Sequence, residues 1–444
     1  MKQRLAELHS RIHHTELIQR TGRVRRVAGL CVEATGPVAR LGELCRIESA
    51  DGMLLNAEVV AIGEGKVILM PYESVAGITA GALVTATGQL PSVHAGVDLL
   101  GRIIDGLGAP LDGKPLELAN GSTARSLYPA PLNPLTRTGI HEVLETGVRA
   151  IDGLFTLGRG QRIGIFAGSG VGKSTLLGML AAHVQADVMV VALIGERGRE
   201  VQAFVQDNVA RRNHEKTVVV AATSDQPPLV RRRAAYLATA IAEYFRDAGN
   251  HVCLLMDSVT RVAMAQREIG LATGEMPTAR GYTPSVFTEL PRFLERPGAL
   301  NHGGSITGIY TVLVDGDDFD EPISDAVRAT LDGHIVLSRA IAQRGRYPAI
   351  DLTRSVSRLA SSLTPEHERK VITSVSQAIA QYETSRDLIE LGAYRAGSNA
   401  ALDSAIKLAT EAERIFTQTP ESCSTRQQTI DELTRLVSAK VTSK

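Results

Sequence analysis

Ala167-Gly168-Ser169-Gly170-Val171-Gly172-Lys173-Ser174 stands between an apolar strand-like run, residues 163–166, and an apolar helix-like run, residues 175–180. Strand, glycine-rich loop and helix, in that order, make a cradle for phosphate. The small residues Gly168, Ser169, Gly170, Val171 and Gly172 let successive backbone N–H groups turn inward around an anion, and the helix N-terminus opening at Ser174 and Thr175 aims further donors at the same point. Lys173 can reach terminal phosphates and Ser174 can ligate Mg²⁺. Ala167 replaces the glycine that opens the general pattern, and a methyl on an α-region backbone is compatible with the turn. The bland alternative is a glycine turn of purely structural use, which the strand–loop–helix setting opposes.

Around this loop, from about residue 140 to 360, apolar runs at 163–166, 188–194, 218–222, 252–256 and 306–314 alternate with longer helical segments. That order predicts an α/β sheet with helices on both faces, and ligands gathered beyond the carboxyl ends of the strands. Run 252–256 ends at Asp257, a carboxylate placed to orient Mg²⁺, although a strand-ending aspartate is also a common helix cap. Run 188–194 leads into Gly195-Glu196-Arg197-Gly198-Arg199-Glu200. Glu196 could hold an attacking water, or it could simply pair with Arg197 at the surface. Further on, Tyr347 precedes Pro348 and could stack on a base or merely pack. Arg358 could supply a planar cation to phosphate or serve as an ordinary surface arginine.

The flanks read differently. Leu5, Leu8 and Ile12 lie at helical spacing among basic residues, so residues 1–20 predict an amphipathic helix, either lightly packed or docking on a partner or an acidic membrane. Short glycine-punctuated apolar runs over residues 21–90 predict a small β-barrel acting as scaffold. A glycine- and proline-rich connector, residues 89–140, predicts extended structure wrapping a domain. The domain division expected is 1–20, 21–90, 91–365 for the nucleotide-binding core with its connector, and 366–444 for a C-terminal helical domain. Val371, Val375, Ala378 and Tyr382 form one stripe of the latter, and a second helix follows the Gly397-Ser398 break.

Composition narrows the class. The 444 residues carry 48 basic and 48 acidic side chains, with 44% hydrophobic residues, as in an ordinary soluble protein. This neutrality argues against coating nucleic acid in bulk. No run approaches the roughly 18 apolar residues of a spanning helix, and the N-terminus lacks the core of a secretory signal, so a cytoplasmic protein is expected. The four cysteines are too scattered for a disulfide framework, and the histidines show no metal-ligand spacing.

The chain closely resembles the type III protein-export ATPases, the flagellar and injectisome enzymes related to the catalytic head of rotary ATP synthases. The resemblance spans residues 22 to about 416. It is carried by Leu99-Leu100-Gly101-Arg102-Ile103-Ile104-Asp105-Gly106, Asn133-Pro134-Leu135, residues 166–175 and 195–200, Asp257-Ser258-Val259-Thr260-Arg261, Gly281-Tyr282-Thr283-Pro284-Ser285-Val286-Phe287 and Leu331-Asp332-Gly333-His334-Ile335-Val336-Leu337-Ser338-Arg339. It implies a RecA-like P-loop core between an N-terminal β-barrel and a C-terminal helical domain. Lys173 is implied on the β/γ-phosphates of ATP, Ser174 and Asp257 on Mg²⁺, Glu196 on the attacking water, and Tyr347 beside adenine. Arg197 and Arg261 are implied around the phosphate and the interface, and Arg358 as an arginine finger reaching the ATP of the next subunit in a homohexameric ring.

The phosphate loop looks more flagellar than injectisome-like. The resemblance further implies a stator-like regulator docking on the N-terminal residues, a central stalk-like export protein, chaperone–substrate complexes and a membrane export gate, with peripheral attachment to the inner membrane. An injectisome ATPase is the nearest alternative. An RNA-translocating ring ATPase would need an aromatic-basic platform that residues 22–88 lack. A non-catalytic ring subunit is opposed by Lys173, Glu196, Asp257 and Arg358 occurring together. Residues 417–429 depart from the family pattern.

Overall fold

The computed structural model describes residues 19–117, 121–209, 213–314 and 318–441. The amphipathic helix expected over residues 1–20 falls almost wholly outside the described residues. Strands β1 (Thr21–Ala28), β2 (Cys31–Thr35), β3 (Leu44–Glu48), β4 (Leu54–Gly63), β5 (Lys66–Pro71) and β6 (Leu83–Ala86) close into a barrel in the order β1-β2-β5-β4-β3-β6. Every described pairing in it is antiparallel. Alternation fills its interior: Cys45 and Ile47 of β3 and Val84 and Ala86 of β6 point inward and are buried. Closure also removes the free strand edges that so small a sheet would otherwise expose.

A seam fastens the barrel to the core. Cys31, Met70 and Tyr72 pack against Leu229, Val230 and Ile269. Beside them the buried Glu58 carboxylate accepts from Arg232 Nη2 at 2.9 Å and from the Tyr72 hydroxyl at 3.1 Å. A buried charge is tolerated because its partners are in place.

The connector is extended, as expected, but it does more than wrap. Strands β7 (Ser92–Ala95) and β9 (Thr123–Ser126) pair with each other, while β8 (Ile103–Asp105) joins the central sheet as its edge, parallel to β14 (Thr217–Ala222). The strands β10 (Val143–Leu144) and β11 (Leu157–Gly158) form a separate pair flanking helix α1 (Arg149–Leu154).

The remaining strands are β12 (Arg162–Ala167), β13 (Val188–Ile194), β15 (His251–Asp257), β16 (Gly298–Ala299), β17 (Ser305–Leu313), β18 (Gly333–Leu337) and β19 (Val356–Ser357). The sheet runs β19-β18-β12-β17-β15-β13-β14-β8, with β16 beside β17. It is parallel from β18 to β8, and all of β13, β14 and β15 is buried. Near-continuous apolar strands are what a parallel sheet covered on both faces requires.

Alternate residues of β13 show the two faces. Val188, Val190, Ala192 and Ile194 pack toward α4 (Pro228–Asp247), α5 (Val259–Ala272) and α6 (Pro284–Leu294), labelled after α2 (Lys173–His183) and α3 (Gly198–Phe204). Met189, Val191 and Leu193 pack toward α1, α2 and the C-terminal helices. Helix α7 (Pro322–Thr330) precedes β18.

The C-terminal helices are α8 (Glu366–Glu390), α9 (Ala400–Phe416) and α10 (Arg426–Val441). Asn399 caps α9, its Oδ1 accepting from Ala401 N and Leu402 N, both at 3.1 Å. Helix α10 arises from a polar stretch in which Ile430 and Leu433 are buried and Leu436 and Val437 partly so. Its first residue is held by an ion pair between Arg426 and Glu368 of α8 at 2.5 Å, with side chains 10% and 7% exposed. Replacing Glu368 with alanine leaves Arg426 buried without its counter-charge, a loss of about 3–5 kcal/mol. Hydrogen exchange should then accelerate across α10 by about a hundredfold or more while β12 stays protected; equal protection in both forms would contradict this. No helix among the described residues is long and apolar enough to cross a membrane.

Candidate active site

Strand β12 ends at Ala167 and α2 begins at Lys173, so residues 168–172 form the loop between them. Gly172 caps α2 in the left-handed region, φ 91°, and no side chain occupies the cap. The first N–H groups of α2 therefore keep their capacity to meet an anion. A Cβ on Gly172 would lie 3.5 Å from the Tyr347 ring, which places that aromatic, 43% exposed, against the last turn of the loop.

Three charges converge beside this turn. Lys173 Nζ donates to Asp257 Oδ1 at 2.5 Å and to Glu196 Oε1 at 3.3 Å. Each arrives by backbone geometry: Lys173 opens α2 after β12, Glu196 follows β13, and Asp257 ends β15. Thr311 of β17, the strand between β12 and β15, donates its hydroxyl to Asp257 Oδ1 at 2.6 Å. Asp257 is not a helix cap, because Ser258 does that work, its Oγ accepting from Arg261 N at 3.3 Å. Burial, then the charge of Asp257, raises the pKa of Glu196, while Lys173 pulls it down.

Ser174, Thr175, Glu196 and Asp257 line one cleft of about 380 Å³, with Glu200, Phe204 and Asp207 on the side of α3 and its continuation, and Pro420 at the rim. The Ser174 hydroxyl and the Asp257 carboxylate are hard oxygen donors facing the same space. They fit a Mg²⁺ ion that takes few protein ligands and completes its shell with phosphate oxygens and water.

Not every expected residue joins the cluster. Arg197 is turned outward, 69% exposed, and pairs with Glu200 at 3.5 Å, so the surface pair considered between Glu196 and Arg197 does not form. Arg261 packs against the turn that follows β13: a Cβ on Gly195 would meet its Cβ at 2.9 Å. Its Nε is buried without a hydrogen-bond partner among the described residues.

Arg358 stands apart. Its N–H donates to Asp332 O at 3.0 Å, and the Asp332 carboxylate binds the backbone and guanidinium of Arg162, the first residue of β12. The phosphate loop leaves the other end of that strand, roughly 17 Å away at about 3.3 Å per residue. The exposed Arg358 side chain is thus at the wrong end of the sheet to serve the loop of its own chain.

Sequence reading missed Thr311, Gln418 and Pro420. Thr311 looked like one more residue of a buried strand, and only the strand order reveals its neighbour. Residues 417–420 carried no pattern, yet Gln418 N donates to Tyr347 O at 2.8 Å.

Comparison with known proteins agrees with this architecture. Residues 147–357 match the nucleotide-binding domain of the ATP synthase alpha/beta family, residues 24–88 match that family's beta-barrel domain, and residues 364–435 match the T3SS EscN ATPase C-terminal domain. The chain is 49% identical to the flagellum-specific ATP synthase of Bacillus subtilis (strain 168) over 427 residues, 96% of this chain and 97% of that protein. It is 45% identical to the type 3 secretion system ATPase of Xanthomonas euvesicatoria, covering 94% of each. The solved structure of the assembled ATPase EscN from the enteropathogenic E. coli type III secretion system superposes with a TM-score of 0.88 at 44% identity, covering 94% of this chain and 100% of that one. With the fold, the nucleotide-binding domain and near full-length relatives in agreement, the chain belongs to the ATP-hydrolysing type III export ATPases, the flagellar and injectisome relatives of the ATP synthase catalytic head.

Proposed function

We propose that this chain is the ATPase of a bacterial flagellar export apparatus and works as a homohexameric ring whose active sites are each completed by the neighbouring subunit. The observation that carries the reading is the separation of Arg358 from its own phosphate loop by the length of β12. An arginine so placed meets a phosphate only across an interface.

Gly168, Ser169, Gly170, Val171, Gly172 and Thr175 supply the backbone cradle, and Lys173 moves from its two carboxylates onto the β/γ-phosphates of ATP. Ser174 and Asp257 would hold the Mg²⁺ that accompanies the nucleotide, and that ion would supply neutralisation of phosphate charge. Glu196, released from Lys173, accepts a hydrogen bond from the attacking water and aligns it with the γ-phosphorus. Arg261, with its unpartnered Nε, and Arg197, after a turn inward, meet charge released on the phosphate. Tyr347 forms a platform for adenine. Arg358 of the adjacent subunit stabilises the charge that spreads over the transferring group, where a planar and permanently charged donor suits phosphate oxygens.

For the flagellar assignment, support comes from similarity to flagellum-specific ATP synthases of several bacteria at 43–49% identity. EscN has been solved in complex with its central stalk EscO, which supports a stalk-like partner here too. On this reading hydrolysis releases export substrates from chaperones and delivers them to a membrane export gate. The chain then sits in the cytoplasm beside the inner membrane, with a stator-like regulator on residues 1–20 and no nucleic-acid partner.

The test is to follow ATPase rate and mass distribution together across protein concentration. Turnover per subunit should rise with the hexamer fraction. Monomer turnover equal to that of the ring, independent of concentration, would reject the shared site.

A further inference from the structure

We propose that Gln418 is a positioning residue for the base of the bound nucleotide, acting through Tyr347; the inference rests on the reading of Tyr347 as the adenine platform. Gln418 follows the end of α9 and is only 6% exposed. Its Oε1 accepts from Arg149 N at 3.0 Å, and its Nε2 donates to Gly147 O and Ser422 O, both at 2.7 Å. The partners Gly147 and Arg149 frame the start of α1, a turn held by the Asp152 carboxylate, which accepts from Gly147 N at 2.9 Å. From this fixed point the backbone of Gln418 donates to Tyr347 O at 2.8 Å. The preceding residue, Arg346, is tied to Glu413 of α9 at 3.6 Å.

The turn that carries the aromatic platform is thus held from the C-terminal domain, while the loop it faces belongs to the core. Two residues past Gln418, Pro420 reaches the cleft lined by Ser174 and Thr175. Residues 417–420 therefore set the spacing between the base platform and the phosphate loop. Only a primary amide of this length meets the three partners. Glutamate would set a carboxylate against two carbonyl oxygens, and asparagine is one methylene short.

An element that fixes the base platform but touches no phosphate should affect recognition of the base alone. Gln418→Met keeps the side-chain volume and removes the amide, and Gln418→Ala serves as a second variant. For the full chain with Mg²⁺, the expected result is an ATP KM raised about tenfold, as for an unmade buried hydrogen bond that releases the loop, with kcat at saturation within about twofold. Affinity for inorganic tripolyphosphate, which has no base, should stay unchanged. In a Tyr347→Ala background Gln418→Met should add nothing further.

Unchanged ATP KM in both variants, or equal weakening of ATP and tripolyphosphate, would overturn the inference. If Tyr347→Ala itself leaves the ATP KM unchanged, the platform reading fails instead. A Tyr347→Ala effect combined with inert Gln418 variants removes the Gln418 role alone. Should Gln418→Ala prove unstable, Gln418→Met carries the test, and loss of fold in both would make Gln418 a structural residue and end the proposal.

Discussion

Replacing Arg358 with alanine should lower turnover of the assembled ring by about 10³–10⁵-fold, the range an arginine finger commands in phosphoryl transfer, while ATP binding to each subunit stays within about twofold. The asymmetry follows from placement. Arg358 is anchored through Asp332 to the first residue of β12, and the glycine-rich loop proposed to cradle phosphate leaves the opposite end of that strand. It contributes nothing to the ground-state site it shares a chain with. On the shared-site proposal, its charge would matter when a neighbour's transferring phosphoryl group loses its bond to ADP. Arg358→Lys should recover little, because a point charge cannot reproduce the planar fork.

A mixing experiment separates action across the interface from action within the chain. Subunits carrying Lys173→Ala keep the finger and lose the cradle, whereas Arg358→Ala subunits keep the cradle and lose the finger. Mixed rings should regain activity that neither parent has, since some interfaces pair an intact cradle with an intact finger. Absence of rescue in rings shown by mass to be mixed, or wild-type turnover in Arg358→Ala rings, would refute the assignment.

Glu196→Gln should lower kcat by about 10²–10⁴-fold with nucleotide affinity preserved. The substitution keeps the shape of a side chain packed beside Lys173 and Asp257, and the amide oxygen can still accept from Lys173. What disappears is the negative charge proposed to orient a water and take up its proton late in the transfer. Removing one of two neighbouring carboxylates also eases the approach of a polyanion, so affinity for ATP should not fall. Retention of wild-type turnover, measured with binding by equilibrium titration, would rule out the water-holding role.

Much of the fold was legible because it is written in local periodicity. The loop at residues 167–174 is contiguous, and its chemistry needs only a strand before it and a helix after it. Unbroken apolar runs such as Val188–Ile194 and residues 252–256 announce a parallel sheet covered on both faces, and glycine-punctuated short runs announce the barrel. Other elements were hidden. Helix α10 buries a few apolar residues and leans on the Arg426–Glu368 pair, so its stripe is faint without its partners. Strand β8 spans three residues, too few for a period to show, and it exists because β14 offers an open edge.

By itself, the sequence determined which residue types were present for phosphate chemistry and in what order they followed their strands. Only the tertiary structure decided which of them meet. Lys173, Glu196 and Asp257 gather because β12, β13 and β15 run parallel and end on one side of the sheet, with Thr311 placed between by the interposed β17. Arg358 is excluded from that gathering because β19 returns antiparallel to the far end. A chain fixes spacing along one dimension, but contact between residues far apart in it depends on strand order and direction, which long-range packing selects.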